Sequence, residues 1–247
     1  VCVCVCLFVC LRVCACILVT VQCTSTKLAL IRSCARTYAG HETTANLLTW
    51  CTWCISERPA VLKQLTDEVE AVFAKHKGRL PYDALKELVY TEAVLNETLR
   101  LHPPAPMIGR QPVEDVEITA AGKTFTIPKG CQVFVHIAAM HRDPEHWGAN
   151  AEDFEPSRFL ASNGVQAEAM KKRHAAAFLP FSMGPRHCVG NLFATMEAKI
   201  ILAYLVRDYQ FDVTPGQKIV GEYKITWRPK NGILMRISKK QTVTPKN

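Results

Sequence analysis

The run Phe181-Ser182-Met183-Gly184-Pro185-Arg186-His187-Cys188-Val189-Gly190, set immediately before a helical segment, is the sharpest chemical signal in the chain. A cysteine just ahead of a helix N-terminus has its thiolate stabilised by the positive end of the helix dipole and by unpaired backbone N–H groups. Gly184 and Gly190 on either side lack a Cβ, so a flat cofactor can approach the backbone closely. Phe181, seven residues upstream, can cover the sulfur. These features together point to a thiolate metal site; the alternative is an inert buried cysteine, the common state of a free thiol.

A second signal is Ala39-Gly40-His41-Glu42-Thr43-Thr44 in otherwise apolar, helix-forming sequence. Glu42 and Thr43 set an acid beside an alcohol where core residues belong, and Gly40 opens space on the same turn. Buried polar groups need partners or a function. A helix start, with a hydroxyl cap and Glu in the first turn, accounts for the same residues. Glu97 and Arg100 form a third signal, an acid and a base at i,i+3 on one helix face. Pro156-Ser157-Arg158-Phe159 offers a second guanidinium from an irregular stretch. One carboxylate between two guanidiniums would lock that stretch to the helix more firmly than an exposed ion pair could.

The elements that must position these residues follow from periodicity. Residues 43–56 read as a buried helix with Leu47, Leu48, Cys51 and Cys54 at helical spacing. Pro59 opens a second helix whose stripe Leu62, Leu65, Val69 and Val72 opposes Lys63, Asp67 and Glu70. Short helices are expected over residues 84–88 and 91–101, the latter ended by Pro103-Pro104. The period then falls to two. Phe125 and Ile127, a Pro128-Lys129-Gly130 turn, then Val133, Val135 and Ile137 read as a hairpin. Residues 143–187 are Pro-rich and irregular, a length that in compact domains is usually functional. A helix over about residues 189–206 and a terminal hairpin turning at Asn231-Gly232 complete a mainly α fold with small β-sheets, an α+β class.

Composition separates residues 1–35 from the rest. Of 12 cysteines, eight lie in those 35 residues, a skew that no disulfide framework would produce. Cys51, Cys54, Cys131 and Cys188 remain, which suits a reducing compartment. A chain of 247 residues buries roughly 70% or more of its unfolded surface and does not need disulfide staples. The run Val1 to Cys23 is long and apolar enough to be a membrane-span candidate despite Arg12 at its middle. Its Val-Cys alternation is also what a GT dinucleotide repeat encodes, GTG and TGT being Val and Cys codons. We therefore read residues 1–35 as low-complexity sequence outside the fold, with a membrane anchor or a strand as alternatives. Residues 36–247 carry 27 bases against 22 acids, which favours an acidic protein partner or an anionic membrane surface and gives no reason to expect nucleic acid.

The four motifs, in this order, resemble the cytochrome P-450 haem-thiolate monooxygenases. Phe181, Gly184, Arg186, Cys188 and Gly190 match the family's haem-binding signature. Ala39 to Thr44 match its oxygen-activation helix, Glu97 and Arg100 its ExxR pair, and Pro156, Arg158 and Phe159 its PxRF element, with Ser157 where Glu is common. The likeness covers about residues 38–237, the C-terminal half of a family chain, so residues 36–247 are expected to form a partial haem domain. It implies haem b as cofactor, Cys188 as the axial iron ligand, and Phe181, Gly184 and Gly190 as the loop that receives the haem. Arg186 and Arg110 would hold haem propionates, and Glu42 and Thr43 would deliver protons to the dioxygen being activated. Glu97, Arg100 and Arg158 would be structural, and residues 105–109 would line an apolar substrate pocket. The implied enzyme is an oxidoreductase that inserts one oxygen atom of O2 into a small apolar substrate. Its electrons would come from NADPH through a flavoprotein reductase, at the cytosolic face of the endoplasmic reticulum membrane. Two rivals are a truncated, non-catalytic haem-binding product and a haem-thiolate hydroperoxide isomerase or dehydratase, which has no use for an acid–alcohol pair.

Overall fold

The computed structural model describes residues 27–160 and 175–240. Three longer helices come first: α1 (Lys27–Ser56), α2 (Pro59–Lys75) and α3 (Val89–Leu101), with a 3₁₀ turn at Tyr82–Glu87 before α3. Strands β1 (Ile108–Arg110), β2 (Val116–Ala120), β3 (Lys123–Ile127) and β4 (Val133–Val135) lead to two single-turn helices, α4 (Ile137–Met140) and α5 (Pro144–Trp147). After 3₁₀ turns at Pro156–Phe159 and Gly184–Arg186 comes the long α6 (Asn191–Asp208). It is followed by β5 (Tyr209–Val213), β6 (Gly221–Tyr223), β7 (Trp227–Pro229) and β8 (Met235–Lys239).

The core lies where α1, α2, α3 and α6 meet. Leu47, Leu48, Cys51, Cys54 and Ile55 of α1 pack with Leu65, Val69 and Phe73 of α2, Val94, Leu95 and Leu99 of α3, and Ala198, Leu202 and Val206 of α6. Each helix contributes one stripe at i, i+3, i+4 spacing. The start of α3 is capped from another helix: the Glu68 carboxylate of α2 accepts the Tyr90 amide at 2.6 Å and the Thr91 amide at 2.8 Å. Those two N–H groups have no partner inside α3, and Glu68 satisfies them while its charge meets the positive helix end.

The expected class holds, and four local expectations are corrected. First, α1 begins at Lys27, so Glu42 and Thr43 stand mid-helix and the helix-start reading of them fails. Second, β3 and β4 do not pair across the Pro128-Lys129-Gly130 turn that connects them. Instead β3 pairs with β2 across Ala121 and Gly122, and β4 pairs with β1. Ala121 (φ 49°) and Gly122 (φ 72°) both take left-handed backbone, the geometry that two-residue hairpins favour because it matches strand twist. Third, β7 and β8 do not pair with each other across Asn231-Gly232. Strand β7 pairs with β6, and β8 returns to pair with β5. A Cβ at Gly221 would lie 2.0 Å from Trp227, so the β6–β7 pair closes only because residue 221 has no side chain. Fourth, of residues 84–88, expected as a short helix, 84–87 lie in the 3₁₀ turn and Leu88 follows it.

Among the described residues, no helix is long and apolar enough to cross a membrane. The apolar run at Val1 to Cys23 lies outside them.

Candidate functional site

The cysteine loop closes on itself before α6. Ser182 and Gly184 take positive φ (61° and 72°), the chain makes a 3₁₀ turn, and the Cys188 amide returns to the Phe181 carbonyl at 2.8 Å. Gly190 caps α6 without a side-chain bond, so the helix begins with first-turn N–H groups that no side chain satisfies. Cys188 sits beside that uncapped positive end, with its Sγ 3.8 Å from where a Cβ on residue 190 would lie. The φ at Gly184 is the reason glycine is needed there, since nothing lies within 4 Å of its missing Cβ. Phe181 is half-buried and packs on the core.

The surroundings of this thiol are apolar and uncovered. Val189 is 100% exposed, Leu192 70%, Phe193 63% and Met183 53%. Single exposed apolar residues need no account, but four together around a cysteine mark a surface that expects a ligand. Arg186 and Arg110 are exposed, and among the described residues neither has a carboxylate partner; Arg110 donates only to the adjacent Gly109 carbonyl. A thiol ahead of a helix start, flanked by exposed apolar residues, suits a flat, largely apolar group with a metal at its centre, and Arg186 and Arg110, without a carboxylate partner among the described residues, are of the kind that would pair carboxylates at its edge. The residues present therefore fit haem.

The other cysteines in the described residues do not compete. Cys51 is fully buried between α1 and α3, and burial pushes its thiol up to about 12 against the pull of a Thr98 hydroxyl bond. Cys54 is raised in the same way, burial again being the main cause. Cys131 is exposed on the turn between β3 and β4, with no helix end nearby.

On α1 the polar residues face different neighbours. The Thr43 hydroxyl donates to the Ala39 carbonyl at 2.8 Å, which leaves the oxygen able to accept from outside the helix. Gly40, three residues earlier on the same face, leaves open space above it. Glu42 points elsewhere: its Oε1 accepts from the Thr226 hydroxyl at 2.8 Å, and Asn46 Nδ2 donates to that same oxygen of Thr226 at 3.2 Å. Sequence reasoning missed Thr226, which comes from the turn between β6 and β7 and is 184 residues from Glu42. It also missed Glu197 on α6. Burial raises the Glu197 carboxyl, opposed by a hydroxyl bond from Thr44 and by His41. Its signal was available: it is an acid in the apolar middle of a helix.

The ion cluster is assembled as expected. Glu97 and Arg100 are 0% exposed and joined by two bonds, Nε to Oε2 at 2.7 Å and Nη2 to Oε1 at 2.8 Å. Arg100 spends its remaining N–H groups on the carbonyls of His141, Ala151 and Asp153 at 2.9, 2.5 and 2.9 Å. Its guanidinium lies 4.9 Å from the Trp147 ring centroid. Arg158 reaches Glu97 at 3.5 Å and donates to the carbonyls of Trp147 and Asn150 at 2.8 and 2.7 Å. The Glu155 amide adds a bond to Glu97 at 2.7 Å. Every polar edge of the trio except Arg158 Nε has a hydrogen bond, and the irregular stretch from Trp147 to Arg158 is thereby fastened to α3.

Comparison with known proteins gives concordant results. The family model described as "Cytochrome P450" matches residues 33–241. A cytokinin hydroxylase of Arabidopsis thaliana is 38% identical over 196 residues, covering 79% of this chain and 35% of the relative. Cytochrome P450 4V2 of Homo sapiens is 34% identical over 204 residues, 82% of this chain and 37% of the relative. Cytochrome P450 734A5 of Oryza sativa is 40% identical over 179 residues, 72% and 32% respectively. The matched region thus spans about a third of the length of these relatives.

Proposed function

The chain belongs to the cytochrome P450 family, and on that premise we propose that the protein is a haem-thiolate monooxygenase in which Cys188 is the axial ligand of haem b. The observation that carries this reading is the Cys188 thiol at the uncapped start of α6, flanked in sequence by exposed Met183, Val189, Leu192 and Phe193. When bound, the haem supplies dioxygen activation, and a thiolate ligand favours cleavage of the O–O bond. The chain's own residues do the rest. The start of α6 sets the sulfur beside first-turn N–H groups that no side chain caps. Arg186 and Arg110 supply the cations that the propionates of the group require. Apolar side chains around the thiol exclude water from the covered face.

Glu42 and Thr43 handle protons. The Thr43 oxygen, with its own hydrogen committed to Ala39, is able to accept a hydrogen bond on the Gly40 side of α1. Glu42, held by Thr226, is the acid one residue away. Replacing Thr43 by Ala should leave haem binding intact and divert reducing equivalents to peroxide, because positioned proton transfer contributes about 10²–10⁴-fold. Product formed per NADPH consumed measures this. Wild-type coupling in Thr43→Ala returns the residue to an ordinary helix position.

The substrate in this reading is a small apolar molecule, and the electron donor is an NADPH-dependent flavoprotein reductase at the endoplasmic reticulum membrane, on its cytosolic side. The base-rich run Lys171-Lys172-Arg173 lies outside the described residues. It stands shortly before the cysteine loop in sequence, and we assign it to docking an acidic reductase surface. Complementary charge acts mainly on association rate and is screened by salt. Changing all three residues to Glu should slow reduction by the reductase, most at low ionic strength, with peroxide-supported turnover unchanged. Equal stopped-flow reduction rates at low salt would remove the assignment.

A further inference from the structure

One side chain joins the buried ion cluster to the cysteine loop. His141 is fully buried between α3 and the segment that enters the loop. Its Nε2 accepts the Leu179 amide at 2.8 Å. A ring nitrogen that accepts from an N–H carries no hydrogen, so in the neutral ring the hydrogen is on Nδ1, which donates to the Arg100 carbonyl at 3.2 Å. Arg100 answers through Nη1, which donates to the His141 carbonyl at 2.9 Å. Ala177 and Leu179 are buried at this contact, and the Phe178 ring lies 5.2 Å from the imidazole.

Upstream of Cys188 the loop is held at two points, Leu179 on His141 and Phe181 on the core. Residues 183–189 are exposed, and the loop's backbone ties return to the same place: the Ser182 amide to the Leu179 carbonyl at 3.1 Å and the Cys188 amide to the Phe181 carbonyl at 2.8 Å. Cys188 is therefore placed from upstream by Leu179 and Phe181 and from downstream by α6, whose Asn191 amide donates to its carbonyl at 3.3 Å. Leu179 in turn is fixed to α3 through the imidazole.

We propose that His141, in its neutral Nδ1–H form, is the positioning residue that seats the cysteine loop against the ion cluster. Its consequence for the haem ligand rests on the reading of Cys188 given above, while the seating itself does not. Protonation of Nε2 would set an N–H against the Leu179 N–H, exchanging a bond for a repulsion. The cations facing the ring act against that protonation: Arg100 from α3 and Arg142 from the ring's own segment. Glu97, of opposite sign, lies behind Arg100 and is paired to it and to Arg158 of the Pro156–Phe159 turn; residues 176–180 carry no titratable side chain. Burial first, then Arg100 and Arg142, push the imidazole down to about 4, against the pull of its backbone bonds. A histidine lowered in the folded state is protonated more readily when released. The seat is therefore complete above the ordinary histidine range near 6.5 and weakens as pH falls from there towards 4.

The test is amide hydrogen exchange on the full 247-residue chain, read by mass spectrometry for residues 179–190 and for α2 as a fold control, after correction for intrinsic exchange. His141→Leu should accelerate the loop amides about tenfold or more and leave α2 unchanged, because a buried bond is lost locally. His141→Gln offers an amide oxygen in the place of Nε2 and should restore most of the protection. Lowering the pH from 7 to 4.5 should loosen the loop in the wild type and not in His141→Gln, whose amide does not titrate. Unchanged loop exchange in His141→Leu with α2 intact would overturn the proposal. If His141→Leu unfolds the chain, the pH profile of His141→Gln decides, and a wild-type pH dependence in that variant would overturn it. Exchange is read without haem, so its failure leaves the ligand assignment of Cys188 standing, and failure of that assignment leaves the exchange result intact.

Discussion

Glu97→Ala should lose about 3–5 kcal/mol of unfolding free energy, the cost of stranding a buried charge when its partner is removed. Glu97 and Arg100 have no exposed surface, and Arg158 has almost none. Without the carboxylate, two guanidiniums face each other across a dry site, and the Glu155 amide loses its acceptor as well. Burial alone raises the Glu97 carboxyl, and the bonds from Arg100 counter it, so neither partner is comfortable without the other. Domains of this kind are stable by only about 5–15 kcal/mol in total, so the change should be plain in a urea melt. Lys63→Ala, which breaks an ion pair between two exposed side chains of α2, is the comparison and should cost about 0.5 kcal/mol or less. Equal midpoints for Glu97→Ala and Lys63→Ala would mean that the cluster does not hold the irregular stretch to α3.

The difference between those two ion pairs shows what a sequence can and cannot convey. Both are acid–base pairs at helical spacing and are equivalent on paper; burial separates them, and burial depends on which distant carbonyls converge on Arg100. Motifs confined to one stretch of chain were legible: the cysteine loop with its flanking glycines, the apolar stripes of α1 and α2, and the stops at proline. Pairings over long separations were not. The Gly130 turn looked like a hairpin because strand-like sequence flanks it. The true hairpin turn at Ala121-Gly122 carries a less distinctive signal, since alanine rarely marks a left-handed position. Thr226 reaches Glu42, and His141 reaches Leu179, only because the fold brings separate elements together. A lone Thr or His in sequence does not announce such a contact. The start of α1 was misplaced for the opposite reason, because Glu42 and Thr43 imitate a cap so well that a mid-helix position was as easily read as an end.

Removing the Cys188 sulfur should have the largest chemical effect of any single change and almost no structural one. The side chain is exposed, its replacement by Ser preserves shape, and surface substitutions of this kind usually stay within about 0.5 kcal/mol. The loop should still close through the Cys188 backbone amide and Phe181, because that bond does not involve the side chain. On the proposed reading what is lost is the axial sulfur ligand, and with it the electron donation that sets the spectrum and reactivity of a haem-thiolate centre. Buried Cys51 and Cys54, held as thiols, cannot substitute, and Cys51→Ser should leave the spectrum unchanged.

The most direct measurement is the absorption spectrum of the reduced carbon monoxide complex of the haem-loaded protein, wild type against Cys188→Ser. The account predicts the red-shifted Soret band of a thiolate-ligated haem in the wild type and its disappearance in Cys188→Ser, with the circular dichroism of the two proteins superimposed. A red-shifted band that survives intact in Cys188→Ser would contradict it.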